Sequence, residues 1–94
     1  MRIRRLVLDV DKAIARPEIL DIARAIEAVP NVEGVNVTVT EIDVETVGMD
    51  ITIEGDGLNY DEIVNAIEAT GAVVHSIDQL ICGARVVEGV ARIR

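Results

Sequence analysis

Aromatic side chains are almost missing from this chain: it has no Phe and no Trp, and Tyr60 stands alone. A core without rings must be filled by Val, Ile, Leu and Ala, and no stacking platform for nucleic-acid bases can be built. Positive charge is scarce as well. Nine Lys and Arg face 17 Asp and Glu, for a formal charge of −8, and Lys12 is the one lysine. A nucleic-acid partner needs a basic footprint to neutralise phosphates, and an anionic membrane surface needs the same, so both are excluded as partners. An acidic surface suits solubility, cations or a basic partner. Many acids with almost no lysine also fit a protein that works in concentrated salt.

Cysteine is reduced to Cys82, which rules out a disulfide within the chain and points to a reducing compartment. Long apolar runs are lacking, none approaching the roughly 18 residues of a membrane helix. Met1-Arg2-Ile3-Arg4-Arg5 is basic like the start of a signal peptide, but Asp9 and Asp11 interrupt the apolar stretch too early for one. The expected location is cytoplasmic.

What is present reads as one domain over residues 1–94, with 83–94 as a C-terminal extension; single cores usually hold about 100–150 residues. Ile3 to Val10 is rich in β-branched residues and leucine and predicts a strand. Pro17 and Glu18 open a helix, with Pro expected at the first helical position, and Ile19, Ile22, Ile26 and Val29 form its apolar stripe. Val35, Val37 and Val39 alternate with Asn36, Thr38 and Thr40, as in a strand with one wet face. After a turn at Asp43 to Thr46, Met49, Ile51 and Ile53 alternate with Asp50, Thr52 and Glu54, completing a hairpin. Asn59 is a helix cap with Glu62 three positions on, and Leu58 is placed to staple onto Ile63. Gly71 can end that helix in a left-handed conformation. Ala72 to Cys82 supplies a fourth strand. The tail alternates loosely at Val86, Val87, Val90 and Ile93, a pattern suited to extending a strand or meeting another subunit.

The order strand, helix, strand, strand, helix, strand predicts an α+β ferredoxin-like βαββαβ sandwich. Its four-stranded antiparallel sheet has the order 4-1-3-2, with both helices on one face. Ala25-Ile26-Glu27-Ala28 and Ala66-Ile67-Glu68-Ala69 echo each other between the two halves.

Several stretches taken in order resemble a known family. Arg4-Arg5-Leu6-Val7-Leu8-Asp9-Val10, Val32 to Val39, Glu41-Ile42-Asp43, Ile51-Thr52-Ile53-Glu54-Gly55 and His75-Ser76-Ile77-Asp78 are similar to an archaeal family called domain of unknown function 211, from about residue 1 to 88. The resemblance implies a ferredoxin-like fold, assembly into homo-oligomers and an archaeal cytoplasm; it implies no chemistry.

Fold alone does not supply function. The loop Asp11-Lys12-Ala13-Ile14-Ala15-Arg16 has no Cys-x-x-Cys, which excludes a copper chaperone of this topology. Cys82 and His75, seven residues apart on one strand, are too far separated for a nucleophile and its base, so Cys82 reads as a small packing residue. Gly55-Asp56-Gly57 lacks the Lys-Ser/Thr of a phosphate loop and reads as a turn.

The candidate site comes from topology. With strands one and three taken to run in the same direction, Asp9, Glu54, Asn36 and His75 meet at one edge of the sheet, and Asp11 hangs close by. Two carboxylates, an amide and an imidazole suit a divalent cation such as Ca²⁺, Mg²⁺ or Zn²⁺. Solvated strand ends, or pairing with Arg5 or a neighbouring subunit, is the plainer reading. His75 shares the parity of Val73, Ile77 and Ile81 and, without a bulge, faces the helices. Glu41, Asp43 and Glu45 form a charged hairpin tip. The face without helices is expected to carry Arg5, Val7, Asp9, Asn36, Thr38, Thr40, Asp50, Thr52 and Glu54. The expected function is a non-catalytic homo-oligomeric binding or regulatory module taking a divalent cation or small metabolite. A purely structural assembly subunit is the alternative, and a metal-dependent enzyme acting from the Asp9, Glu54 and His75 corner is the third.

Overall fold

The structure is a computed structural model that describes residues 1–90. Ile93, assigned above to the tail's alternation, lies outside the described residues. The chain forms β1 (Ile3–Ala13), α1 (Ile19–Glu27), β2 (Val32–Ile42), β3 (Thr46–Gly55), α2 (Tyr60–Ala69) and β4 (Val73–Cys82). The sheet order is β2-β3-β1-β4, which is 4-1-3-2 seen from the other edge. The fold is ferredoxin-like.

Each element follows from its residues. Alternation puts Leu6, Leu8 and Val10 of β1, with Met49, Ile51 and Ile53 of β3, on the helix side, where all six are fully buried. They pack with Ile22 and Ile26 of α1 and Ile63 and Ile67 of α2. Removing a side chain of this kind from water stabilises the fold by about 1.5–3 kcal/mol. Tyr60, the lone aromatic, is only partly buried against this core. Leu58 and Ile63 are both buried in it, as a staple around the α2 cap requires. The Asn59 side chain accepts the backbone N–H of Glu62 at 3.1 Å, and Gly71 leaves the helix at φ +105.

The start of α1 differs from expectation. Pro17 precedes the helix instead of opening it, and Glu18 is the cap, exchanging hydrogen bonds with Asp21 as a capping box. β1 also runs three residues beyond Val10, because its backbone keeps pairing with β3 as far as Ala13↔Thr46. Lys12 in that extension points to the helix side and is only 7% exposed. Its ammonium donates to the carbonyl oxygens of Ala13 and Ile14, both at 3.0 Å. Gly55 ends β3 where a Cβ would lie 2.0 Å from the Asn31 carbonyl oxygen, so no larger residue fits there without moving backbone.

β1 runs antiparallel to β3 and to β4, and β2 antiparallel to β3. This overturns the expectation that strands one and three share a direction. Each strand-helix-strand crossover returns the chain parallel to its first strand, so β1 matches β2 and β3 matches β4. The β2–β3 hairpin then forces β1 against β3.

Candidate functional site

Residues directly opposite in an antiparallel ladder share a face. Arg5↔Glu54, Val7↔Thr52 and Asp9↔Asp50 therefore project from the sheet away from the helices, joined from β2 by Asn36, opposite Thr52, and Thr38, opposite Asp50. The expected open face is the observed one.

The expected set of site residues is not brought together. Because β1 and β3 run in opposite directions, Glu54 lies beside Arg5, four positions along β1 from Asp9. At about 3.4 Å per residue that is roughly 14 Å of strand. Asn36 sits toward the Glu54 end, sharing a shallow depression with Gly34, Thr52 and Glu54; its Oδ1 accepts the Thr38 hydroxyl at 2.5 Å. Glu54 is engaged by the Arg5 guanidinium at 2.6 Å. Parity identifies the face of these residues correctly and their end of the sheet incorrectly.

Asp9, Asp11 and His75 do converge. They line a depression of about 290 Å³ with Thr40, Glu41, Thr46 and Gly48. His75 reaches it because the β1–β4 register slips between Asp9↔Ser76 and Val10↔Val74, placing His75 in a bulge. The bulge turns the ring away from the helix side that its parity with Ile77 implied, and Nε2 donates to Asp11 Oδ2 at 2.8 Å. A second slip brings Glu41, and not Thr40, opposite Gly48. Gly48 makes the floor: a Cβ there would stand 3.5 Å from Asp11 Oδ1 and 3.6 Å from the Glu41 Cβ. No Lys or Arg lines this corner. Asp50 faces Asp9 directly across the ladder, a like-charge pair of the kind that costs stability in a sheet.

Thr40, Glu41, Thr46, Gly48 and Asp50 were missed as corner residues. The signal was available: with β1 antiparallel to β3, the residues facing Asp9 and Asp11 come from the start of β3 and not its end. Among the described residues, no three His, Cys, Asp or Glu side chains are grouped closely enough to hold a metal ion as placed. The corner therefore offers acidic and imidazole donors around a hollow, without a formed coordination sphere.

The other end of the face is basic and already paired. The Arg5 guanidinium donates to Glu54, to Glu88 of the tail at 3.0 and 3.1 Å and to Gln79 at 3.3 Å, and these carboxylates hold it above the ordinary guanidinium pKa, Glu54 most. At the rim Arg2 grips Asp56 through two hydrogen bonds, of 2.6 and 2.8 Å. The bond from Arg2 is the main reason the Asp56 carboxyl sits below its usual range. Cys82 is exposed, not a packing residue; it pairs with Ile3 at the end of β4 remote from His75. No helix of the described residues is long and apolar enough to cross a membrane.

A family model described as "Uncharacterized ArCR", DUF211, matches residues 4–94. An uncharacterised protein of Methanocaldococcus jannaschii is 46% identical over 88 residues, covering 94% of this chain and 90% of that protein. The chain belongs to the archaeal DUF211 family.

Proposed function

We propose that this DUF211 protein is a non-catalytic, homo-oligomeric binding module of the cytoplasm, which takes a divalent cation or a small metabolite at the Asp9–Asp11–His75 corner. The observation that carries the reading is the convergence, around one hollow, of two carboxylates of β1, a bulged imidazole of β4 and Glu41 of β2. A bulge beside a recess re-aims a side chain at a local cost, and such irregularities are over-represented next to functional sites. Oxygen donors with one imidazole suit a divalent cation once Asp9 and Glu41 close toward Asp11. Glu54 and Asn36, assigned to the same site from sequence, belong instead to the Arg5 end of the face.

The purely structural alternative has its own support: apolar side chains stay exposed along the edge strand β4, at Val73, Ile77 and Leu80, and covering them is what a symmetric assembly does. A thermal-shift series separates the two readings. The binding module gains several degrees of Tm from one of Ca²⁺, Mg²⁺, Mn²⁺ or Zn²⁺ or from a small metabolite, since a ligand that prefers the native state stabilises it. The Asp11→Ala variant loses that gain. If no cation or metabolite shifts Tm, the structural subunit is the correct reading.

A further inference from the structure

Beyond Gly83 the chain leaves the sheet and comes to the open face. The exit is marked: Gly83 donates its N–H to the Arg2 carbonyl at 2.7 Å as the last rung of the ladder, then turns at φ +111. From there to residue 90 the strap has no regular structure, and among the described residues no backbone hydrogen bond joins residues 84–90 to the body. Three polar contacts hold it. Arg4 Nη1 donates to the Gly83 and Ala84 carbonyls at 3.4 and 3.0 Å, and Arg5 pairs with Glu88 at 3.0 Å.

These contacts are weak for what they must order. Fixing each backbone residue costs conformational entropy, whereas an exposed ion pair is screened by water and returns little. The apolar residues that would make up the difference are little used: Val86, Val87 and Val90 are 45%, 67% and 92% exposed. The seat itself is formed. Ile81 is buried although it is no part of the helix-side core, and register sets it beside Arg5 on the open face. The strap is also opposite in charge to the body. Residues 83–94 carry Arg85, Arg92 and Arg94 against Glu88 alone, while residues 1–82 hold sixteen acids against six bases.

We infer that the strap is exchanged between copies: Glu88 of one chain pairs with Arg5 of a second, and the valines that stay wet within one chain are covered by the partner. Gly83 is the hinge that lets the strap point outward. Exchange keeps every contact the strap makes on its own body and adds the apolar cover that the single chain lacks, the usual route to a swapped assembly. The inference rests on the homo-oligomeric reading above and specifies what joins the copies.

Two full-length variants test it by mixing. Arg5→Glu and Glu88→Arg each place like charges at the strap contact, so each alone drops toward the single-chain mass of 10.1 kDa. Mixed, the altered strap of the Glu88→Arg chain meets the altered seat of the Arg5→Glu chain, and the unaltered strap of the second meets the unaltered seat of the first. Both contacts then join opposite charges. The wild-type mass returns, and it can return only through contacts between chains. If both variants alone keep the wild-type mass, exchange is overturned and the oligomer reading survives. If the wild-type protein itself runs at 10.1 kDa, both fail. Because a carboxylate at position 5 would also crowd Glu54, Arg5→Lys gives a milder second measurement. Carbodiimide treatment couples the new amine at position 5 to Glu88, and mass spectrometry finds the linked peptides in covalent dimers. Finding that linkage only in single-chain species overturns exchange.

Discussion

The two faces of one sheet are built from alternate residues of the same strands, and they obey different rules. On the helix side, Leu6, Leu8, Val10, Met49, Ile51 and Ile53 are wholly buried against two helices. On the open side, their immediate neighbours Arg5, Val7, Asp9, Asp50, Thr52 and Glu54 are polar with one exception and are arranged by charge. Positive Arg5 with its acidic partners lies toward one end, and the unneutralised Asp9–Asp50 pair lies toward the other. The packed face carries the stability of the fold. The open face is free of that duty, and can keep an unfavourable pair of carboxylates that a core would never tolerate.

Substitutions one residue apart should break this contrast most visibly. Ile51→Ala removes a fully buried side chain and should cost about 2–5 kcal/mol in urea unfolding, while Thr52→Ala, on the other face, should stay within about 0.5 kcal/mol. Similar losses from the two would mean that the open face is covered in the working protein. Next in size, Asp50→Asn relieves the repulsion with Asp9 and should raise stability by about 0.2–1 kcal/mol. The same change should weaken any cation response, because the corner loses negative charge. The smallest effect belongs to the rim. The Asp56 carboxyl is held below its unfolded value by Arg2, so its stabilising contribution is complete above the unfolded pKa and lost as pH falls through the folded one. Acid titration of the Arg2→Ala variant should therefore show a slightly shallower loss of stability at the acid end than the wild type.

Much of this contrast was legible in the sequence. Strict alternation from Val35 to Thr40 and from Met49 to Glu54 specifies the face of each residue, and the Asn59 cap marks where α2 starts. Alternation carries no information about which end of a strand lies beside which, and so it groups Glu54 and Asn36 with Asp9. Strand direction is fixed by the crossovers and the hairpin, a constraint on the whole chain and not on any segment of it. The β-bulge of β4 at His75 is invisible for a different reason. Val73-Val74-His75-Ser76-Ile77 fits either register by hydrophobicity, and backbone geometry decides that His75 turns toward Asp11. The burial of Lys12 ran against its charge. A four-carbon stem can fill the end of a core while the Ala13 and Ile14 carbonyls receive its head, a fit that needs the β1 extension to exist first.

That lysine has a practical consequence. Lys12 is the chain's one ε-amine, and in the folded state it is enclosed and spoken for by Ala13 and Ile14. To acylating reagents or to enzymes that modify lysine, the native surface therefore offers no exposed lysine amine. Label at position 12 can be acquired only when that end of the sheet opens. The rate of acylation at Lys12 is thus a built-in clock for local unfolding at the end of the sheet that carries the acidic corner, read without engineering a labelling site. A ligand seated among Asp9, Asp11 and His75 should slow that clock.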